Sequence, residues 1–310
     1  MGKDLSIIII NYKTPDLTIR CIESVYATTK CNFEIIVVDN ASCDDSKDRI
    51  YSQFPQVVWI QNEENVGFGR ANNIGVANAR GSYLLLLNSD MVVTENAIDH
   101  CLVVVKNNAT IGVLGCKLVN EDGSLQNSVY HDVVSYKSLM NQNVVFVKIF
   151  GEKSYRDKIV AIMGSFMIVS KELYKEIGGF DPDFFMYFEE IDMCRRIIEK
   201  GYSINYDDAV YAYHKHGASS PNNKKRLRQV YASQMLMVFK HKGFFGYLLY
   251  NLLLVNNLAL NAVVSLFRKQ YRKGVKDVFN AYICNVLENI SIPFLYRRKM
   301  GNGKRMLKVK

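Results

Sequence analysis

The chain has no CxxC pair. Its seven cysteines (Cys21, Cys31, Cys43, Cys101, Cys116, Cys194 and Cys284) are scattered, a spacing that suggests neither a zinc site nor a disulfide framework. Internal repeats and low-complexity tracts are absent. No small-residue cleavage site accompanies the first apolar run, and MGKDLSIIIINYK runs straight into an expected strand, so the chain is expected in the cytoplasm. Acidic residues are nearly missing from the last part: positions 221–310 hold 18 Lys/Arg against Asp277 and Glu288, a net +16, while the first 220 positions sum to −7. Such a split marks two regions with different partners, and a basic tail suits an anionic membrane surface or nucleic acid. No nucleic-acid-binding module or aromatic-basic interleaving accompanies it, so nucleic acid is not the expected partner.

What is present reads as α/β over residues 1–220. Apolar runs suited to buried strands lie at 5–10 (LSIIII), 33–39 (FEIIVVD), 57–61 (VVWIQ) and 83–90 (YLLLLNSD). Between them, 16–29 places Leu17, Cys21, Ile22 and Val25 on one helical face, and 69–80 is a second helix entered through the glycines of NVGFG. A new strand every 20–30 residues predicts a doubly wound, mostly parallel sheet. Further on, IGVLGCKLV and IVAIMGSFMIVS are expected as strands, and VSKELYKEIGGFDP as a helix closed by Gly178 and Gly179.

In such sheets ligands bind at the C-terminal strand tips, which directs attention to Asn88-Ser89-Asp90. A hard carboxylate there, with a second acidic group in FMYFEEID, suggests a Mg²⁺ or Mn²⁺ ion holding a diphosphate, because these ions take oxygen donors and leave positions for phosphate. A structural alternative is that Asp90 caps the helix expected in TENAIDHCL. Asp39 and Asn40 end a strand where a carboxylate can accept from a base or ribose, or merely cap the next turn. Gly67 and Gly69 permit close backbone approach and positive φ, and Asn72 and Asn73 can bond to ribose or phosphate. Glu189, Glu190 and Asp192 start a helix whose dipole favours negative charge.

Six segments in order resemble family 2 glycosyltransferases of the GT-A fold, particularly the rhamnosyltransferase-like subgroup that builds bacterial surface polysaccharides. They are SIIIINYKTPDLTIRCIESV, IIVVDNASCDDS, NEENVGFGRANNIGV, LLLLNSDM, GSFMIVSKELYKEIGGFDPDFFMYFEEIDMCRR and AYHKHGASS, spanning roughly residues 5–220. The resemblance implies a metal-dependent inverting transfer of a sugar from a nucleotide-diphosphate donor, UDP- or dTDP-linked, to a glycan or lipid-linked saccharide. It implies nucleotide contacts from Asn11, Tyr12, Asp39, Asn40, Gly67, Gly69, Asn72 and Ser89, and metal ligation by Asp90 and His214, with His216 competing. Lys215, Ser219 and Ser220 are candidate diphosphate donors. Glu190 maps onto the base, with Glu189 and Asp192 as alternatives, and Gly164 and Ser165 frame the acceptor pocket. The family's Asp-x-Asp appears here as Asn88-Ser89-Asp90, and the usual Asp at the base position is the longer Glu190. A chain that keeps the fold and binds nucleotide sugar without transfer is the alternative reading.

Residues 221–310 are expected as a basic helical region. Positions 244–267 are 24 uncharged residues, a helix about 36 Å long against a bilayer core of roughly 30 Å. Asn251, Asn256, Asn257 and Asn261 interrupt it, leaving interfacial, buried and membrane-spanning readings open. Residues 275–290 form an amphipathic pattern. Basic flanks around such helices suit anionic headgroups, which predicts a peripheral location on the inner face of the membrane. The oligomeric state is not legible.

Overall fold

The computed structural model describes residues 2–131, 159–215 and 223–267. They fall into two compact units: 2–130, 159–182 and 189–215 in the first, and 131, 183–188 and 223–267 in the second. The amphipathic pattern at 275–290, the basic residues after 267, and His216, Ser219 and Ser220 lie outside the described residues.

The first unit begins with alternating strands and helices: β1 (Leu5–Asn11), α1 (Pro15–Thr28), β2 (Phe33–Asp39), α2 (Ser46–Gln53), β3 (Val58–Gln61), α3 (Phe68–Ala77) and β4 (Tyr83–Asn88). It continues with β5 (Met91–Val93), α4 (Ala97–Asn107), β6 (Ile111–Val119), β7 (Leu125–Gln126), β8 (Val129–Tyr130), β9 (Ala161–Ile162) and β10 (Phe166–Ser170). The helices α5 (Lys171–Glu176) and α6 (Glu189–Glu199) and the strand β11 (Ser203–His214) complete it.

The main sheet runs β3-β2-β1-β4-β10-β6-β11-β5, with β7 on β6. Strands β3, β2, β1 and β4 are parallel, β10 is antiparallel to both neighbours, and β5 is antiparallel to β11. The early strands are apolar on both faces because helices cover both: Ile7, Ile8 and Ile9 are all fully buried. Helix α1 opens with Pro15 at its first turn and buries Thr18, Ile19, Cys21, Ile22 and Val25, while Leu17 is half-buried. Helix α3 lies so close to β1 that a Cβ on Gly75 would fall 2.5 Å from Ile8 Cγ2. From β1 the chain winds to β2 and β3 on one side and then returns to β4 on the other. The reversal leaves a crevice at the tip of β1, where α/β sheets bind ligands.

The long strand expected in IVAIMGSFMIVS is divided. Residues 163–165 leave the strand at Gly164-Ser165, so β9 pairs with β8 in a separate two-stranded sheet while β10 joins the main one. Helix α5 is capped by the Ser170 hydroxyl, which accepts from Leu173 N, and it closes through Gly178 and Gly179 at φ +80° and +68°.

The second unit is dominated by α7 (Asn223–Phe267), which breaks at Gly243, where φ is +67°. Its first segment buries Met235, Leu236, Met237 and Val238. The Ser233 hydroxyl donates to Met186 O at 2.8 Å, and Gln234 Nε2 donates to the Tyr250 hydroxyl at 2.9 Å. Beyond the break, Tyr247, Tyr250, Leu254 and Leu258 are buried, and Asn257 is buried with them. Phe245, Leu248, Leu249, Leu252, Val255, Leu260 and Val263 form an exposed stripe at helical spacing, with Phe245 at 84% and Leu252 at 69% exposure. The asparagines Asn251, Asn257 and Asn261 share the inward side and Asn256 the outward one. By length and composition, residues 225–263 form a helix able to cross a membrane, with 28% of the apolar window buried.

Candidate active site

The crevice is built where β1, β2 and β4 end. Asn11 and Asp39 are register partners at the tips of β1 and β2, and both are buried. Asp39 Oδ1 accepts from Asn11 Nδ2 at 2.7 Å and the Ser42 hydroxyl at 2.5 Å. Asp39 Oδ2 accepts from Ser42 N at 2.9 Å and Gln61 Nε2 at 2.7 Å. A carboxylate offers about four acceptor positions, and here the protein fills four. The turn-capping alternative therefore describes Asp39 as it stands, and Gln61, which is exposed, is the partner most easily displaced by an incoming base. Tyr12 is exposed at the lip.

Asn40 holds the next loop. Its Oδ1 accepts from Asn62 Nδ2 and Val66 N, each at 3.1 Å, and its Nδ2 donates to Asn65 Oδ1 and Gly67 O. Gly67 caps α3 at φ +85°, a conformation that favours glycine. Asn72, expected at a ribose or phosphate, is instead 1% exposed and donates to Phe68 O within its own helix. Gly69 serves packing: a Cβ there would approach Phe180 Cβ at 3.0 Å and Glu189 Cβ at 3.6 Å. At this loop Gly67 opens α3, Asn72 bonds within it and Gly69 lets it pack against Phe180 and Glu189.

Asp90 does not cap α4; the chain turns from it directly into β5, and Asn96 is the helix's N-cap. Strand β5 runs antiparallel to β11 with Met91 opposite His214. That register brings His214 Nε2 to 3.4 Å from Asp90 Oδ1, both side chains 6% exposed. Lys215 N donates to Asp90 O at 3.0 Å. The other imidazole nitrogen, Nδ1, lies 2.6 Å from Gln126 Oε1. Ser89 is buried, with its hydroxyl 3.4 Å from that of Thr14. Beside Asp90 a cavity of ≈ 350 Å³ opens between Arg20, Glu121, Tyr213 and Lys215. Glu121 lies 3.8 Å from Arg20 and 4.0 Å from Lys215, so two cations flank the approach to Asp90.

Among the described residues, no three His, Cys, Asp or Glu side chains gather as a complete metal cage. Asp90 and His214 supply two donors, one hard oxygen and one imidazole nitrogen. Such a pair suits Mg²⁺ or Mn²⁺, which complete their shells with water and substrate phosphate.

Glu189 and Glu190 begin α6, and both are buried. Burial pushes the Glu189 carboxyl well above the usual carboxylate range, and the charge of Glu190 pushes it further. Among the described residues, Glu189 Oε2 has no hydrogen-bond partner. Gly164 sits against this pair, where a Cβ would meet Glu190 Cβ and Phe68 Cε1, each at 3.5 Å. Ser165 is buried next to it, and its backbone carbonyl accepts from Asn88 N at 3.0 Å. The structure thus joins the strand carrying Asp90 to the segment touching Glu190. Asp192 is fully buried and accepts from Arg196 Nε at 2.8 Å. Arg196 in turn donates to Ile177 O and Gly179 O, an arrangement that fits holding the glycine turn rather than taking a proton.

Several contributors were not among the residues singled out in the sequence. Gln61 and Ser42 complete the cage around Asp39, and Gln126 meets His214 from a two-residue strand. Burial and the charges of Glu190 and Glu189 raise the Tyr130 phenol. The α/β alternation leads to Gln61 at a strand tip, and Ser42 lies in the segment IIVVDNASCDDS; neither signal reaches Gln126 or Tyr130.

The family model described as glycosyl transferase family 2 matches residues 6–178, and one described as the N-terminal domain of galactosyltransferase matches 146–216. The chain is 25% identical over 246 residues to the low-salt glycan biosynthesis hexosyltransferase Agl10 of Haloferax volcanii, covering 78% of this chain and 75% of that one. It is 28% identical over 222 residues to the rhamnosyltransferase WbbL of Escherichia coli K12, covering 67% and 82%. Among solved structures it resembles the mannosyltransferase PcManGT of Pyrobaculum calidifontis, determined with GDP-Man and Mn²⁺. That match has a TM-score of 0.62 at 14% identity, over 94% of this chain and 88% of the other.

Proposed function

The chain belongs to glycosyl transferase family 2, is a glycosyltransferase of the GT-A type, and from that premise we propose a metal-dependent inverting reaction. The sugar moves from a UDP- or dTDP-linked donor to a hydroxyl of a glycan or lipid-linked saccharide in surface polysaccharide synthesis. The observation that carries the reading is the meeting of Asp90 and His214 at 3.4 Å on the tip of β4, with the buried acids Glu189 and Glu190 presented from α6. The relatives named for hexosyl and rhamnosyl transfer support the substrate class.

Each side chain then has a task. Asn11 and Asp39 shape the floor for the base, which meets Asp39 where Gln61 gives way, and Tyr12 covers it from the lip. Asp90 and His214 would hold the cation, Mg²⁺ or Mn²⁺, with Arg20 and Lys215 drawing the diphosphate toward them. A divalent ion bound there supplies Lewis-acid neutralisation of the departing diphosphate. Glu190 takes the proton from the acceptor hydroxyl as that oxygen attacks the anomeric carbon. Burial and the neighbouring Glu190 charge favour the neutral form of Glu189. With Glu190 as the base and no covalent nucleophile assigned among the described residues, attack is a single displacement with inversion. Gly164 and Ser165 line the acceptor side.

The second unit is read as the membrane contact. Its exposed stripe from Phe245 to Val263 has the spacing of an in-plane helix, and the +16 charge of 221–310 suits an anionic inner leaflet carrying a lipid-linked acceptor.

The test is turnover of a nucleotide-sugar panel with Mg²⁺ or Mn²⁺, scored by released nucleoside diphosphate and by the anomeric configuration of the product. Glu190→Gln is expected to lower kcat by about 10²–10⁴-fold while donor affinity is unchanged. Near-normal kcat in that variant removes Glu190 from the role, and retention of configuration removes the single-displacement scheme.

A further inference from the structure

We propose that Gln126, oriented by a hydrogen-bond relay through the β6–β7 hairpin, fixes the tautomer of His214 so that Nε2 is presented as a cation ligand beside Asp90. The inference rests on the metal-dependent reading above and names residues that no motif assigns.

The relay can be followed from one end whose polarity is unambiguous. Strands β6 and β7 are joined by a tight turn, with Val119 opposite Leu125 and Leu118 opposite Gln126. In that turn Gly123 N donates to Asn120 O at 2.9 Å, and Gly123 takes φ +80°. The Ser124 hydroxyl and Ser124 N both reach Asp122 Oδ1, at 2.6 and 2.9 Å, and these bonds hold the Asp122 carboxyl below its usual range. An ionised carboxylate only accepts, so the single Ser124 hydroxyl proton points at Asp122.

Every later orientation follows. Asn120 Nδ2 lies 2.9 Å from Ser124 Oγ, and because that hydroxyl has spent its proton, Asn120 must donate to it. Asn120 Oδ1 therefore faces Gln126, whose Nε2 donates to it at 2.7 Å and also to His214 O at 3.3 Å. Gln126 Oε1 is left toward the imidazole, 2.6 Å from His214 Nδ1. An amide oxygen can only accept, so Nδ1 carries the hydrogen. In the neutral ring, Nε2 then directs its lone pair toward Asp90 Oδ1 at 3.4 Å. An imidazole lone pair and a carboxylate oxygen so placed form a two-point seat for a positive ion. A divalent cation fits that seat, and a hydrogen bond to the remote imidazole nitrogen is how proteins orient such a ligand.

The hairpin thus positions the imidazole without touching the substrate. Gln126 grips the ring and the backbone carbonyl of the same residue, so rotation of His214 about χ1 or χ2 would break the ring contact. The turn sequence Asn120 to Ser124 supplies the polarity.

The experiment uses the full chain with ¹⁵N-labelled histidine at about pH 8, above the ordinary imidazole range, with the His214 signals identified by their loss in His214→Asn. Wild type is expected to show a protonated Nδ1 and a bare Nε2. In parallel, Mn²⁺ affinity is measured by the loss of its free paramagnetic signal, alone and with UDP, dTDP or GDP. Gln126→Leu is expected to weaken Mn²⁺ binding about 10- to 100-fold and to release the tautomer. Gln126→Glu keeps an acceptor at Nδ1 and is expected to restore both; a merely structural role would not separate these two variants in this way. A bare Nδ1 in wild type, or wild-type Mn²⁺ affinity in Gln126→Leu, overturns the proposal. If wild type binds no Mn²⁺ with any nucleotide, the cation role falls with the metal-dependent reading, and a Nδ1-protonated signal would show that this reading, not the relay geometry, had failed.

Discussion

Replacing Asp39 with asparagine separates a clamp from a ligand contact. The substitution preserves shape but turns one acceptor oxygen into an NH₂ group inside a site that is 2% exposed. Placed at Oδ1, the NH₂ would oppose Asn11 Nδ2 and the Ser42 hydroxyl; placed at Oδ2, it would oppose Ser42 N and Gln61 Nε2. The second placement keeps Asn11 and the Ser42 hydroxyl, because the Gln61 amide can turn over, although it then gives up the 3.2 Å bond it accepts from Trp59 Nε1 and the 3.1 Å bond it donates to Asn62 O. Ser42 N is backbone and cannot turn. One hydrogen bond to a charged group is therefore lost without replacement, a cost of about 1.5–3 kcal/mol, or roughly 10- to 100-fold in the folding equilibrium. Trp59 is the sole tryptophan and lies on β3, two residues from Gln61, so its fluorescence reports this corner during urea unfolding. The expected result is a lower midpoint at unchanged slope, together with weakened nucleotide binding because the floor of the crevice loosens. An unchanged midpoint with loss of nucleotide affinity would refute the clamp and make Asp39 a ligand contact alone.

Glu189→Gln tests the buried acid. A carboxyl whose folded pKa is raised favours folding fully below its unfolded value, about 4.3, and stability falls as pH climbs toward the folded value. The glutamine variant should therefore match wild type near pH 4 and be the more stable of the two at pH 7; a constant difference across that range would refute a raised Glu189. Gly75→Ala should destabilise by about 1–3 kcal/mol, since its Cβ would lie 2.5 Å from Ile8 Cγ2, and a thermal melt unchanged from wild type would show that β1 and α3 separate freely. Phe245→Glu combined with Leu252→Glu, at the two most exposed apolar positions of the stripe, should reduce binding to anionic vesicles at least roughly tenfold. Wild-type partitioning by that double variant in a sedimentation assay would remove the stripe as the membrane contact.

Much of the framework was legible because strand and helix periodicities are local. The runs at LSIIII, FEIIVVD and YLLLLN are apolar on both faces, as strands covered by two helical layers must be, and they delivered Asn11, Asp39 and Asp90 to one edge of the sheet. Where Gly164-Ser165 broke a run, the apolar pattern concealed the break, and one expected strand became two. The asparagines of 244–267 grouped on the helical wheel as three and one. Which way each group faced was not contained in that grouping: the three turned inward and left the apolar stripe outside.

The order of residues determined the element types and the chemistry available at each strand tip, since backbone alternation decides which side chains a strand end presents. It did not determine partnerships between distant segments. Asp90 meets His214 because β5 folds back antiparallel on β11, and Gln126 reaches the same imidazole because a tight turn returns the chain beside β6. Asp192 and Glu190 look alike in sequence, yet the ion pair with Arg196 ties Asp192 to the glycine turn. Those choices depend on sheet order, register and desolvation, quantities that exist only once the chain has closed on itself.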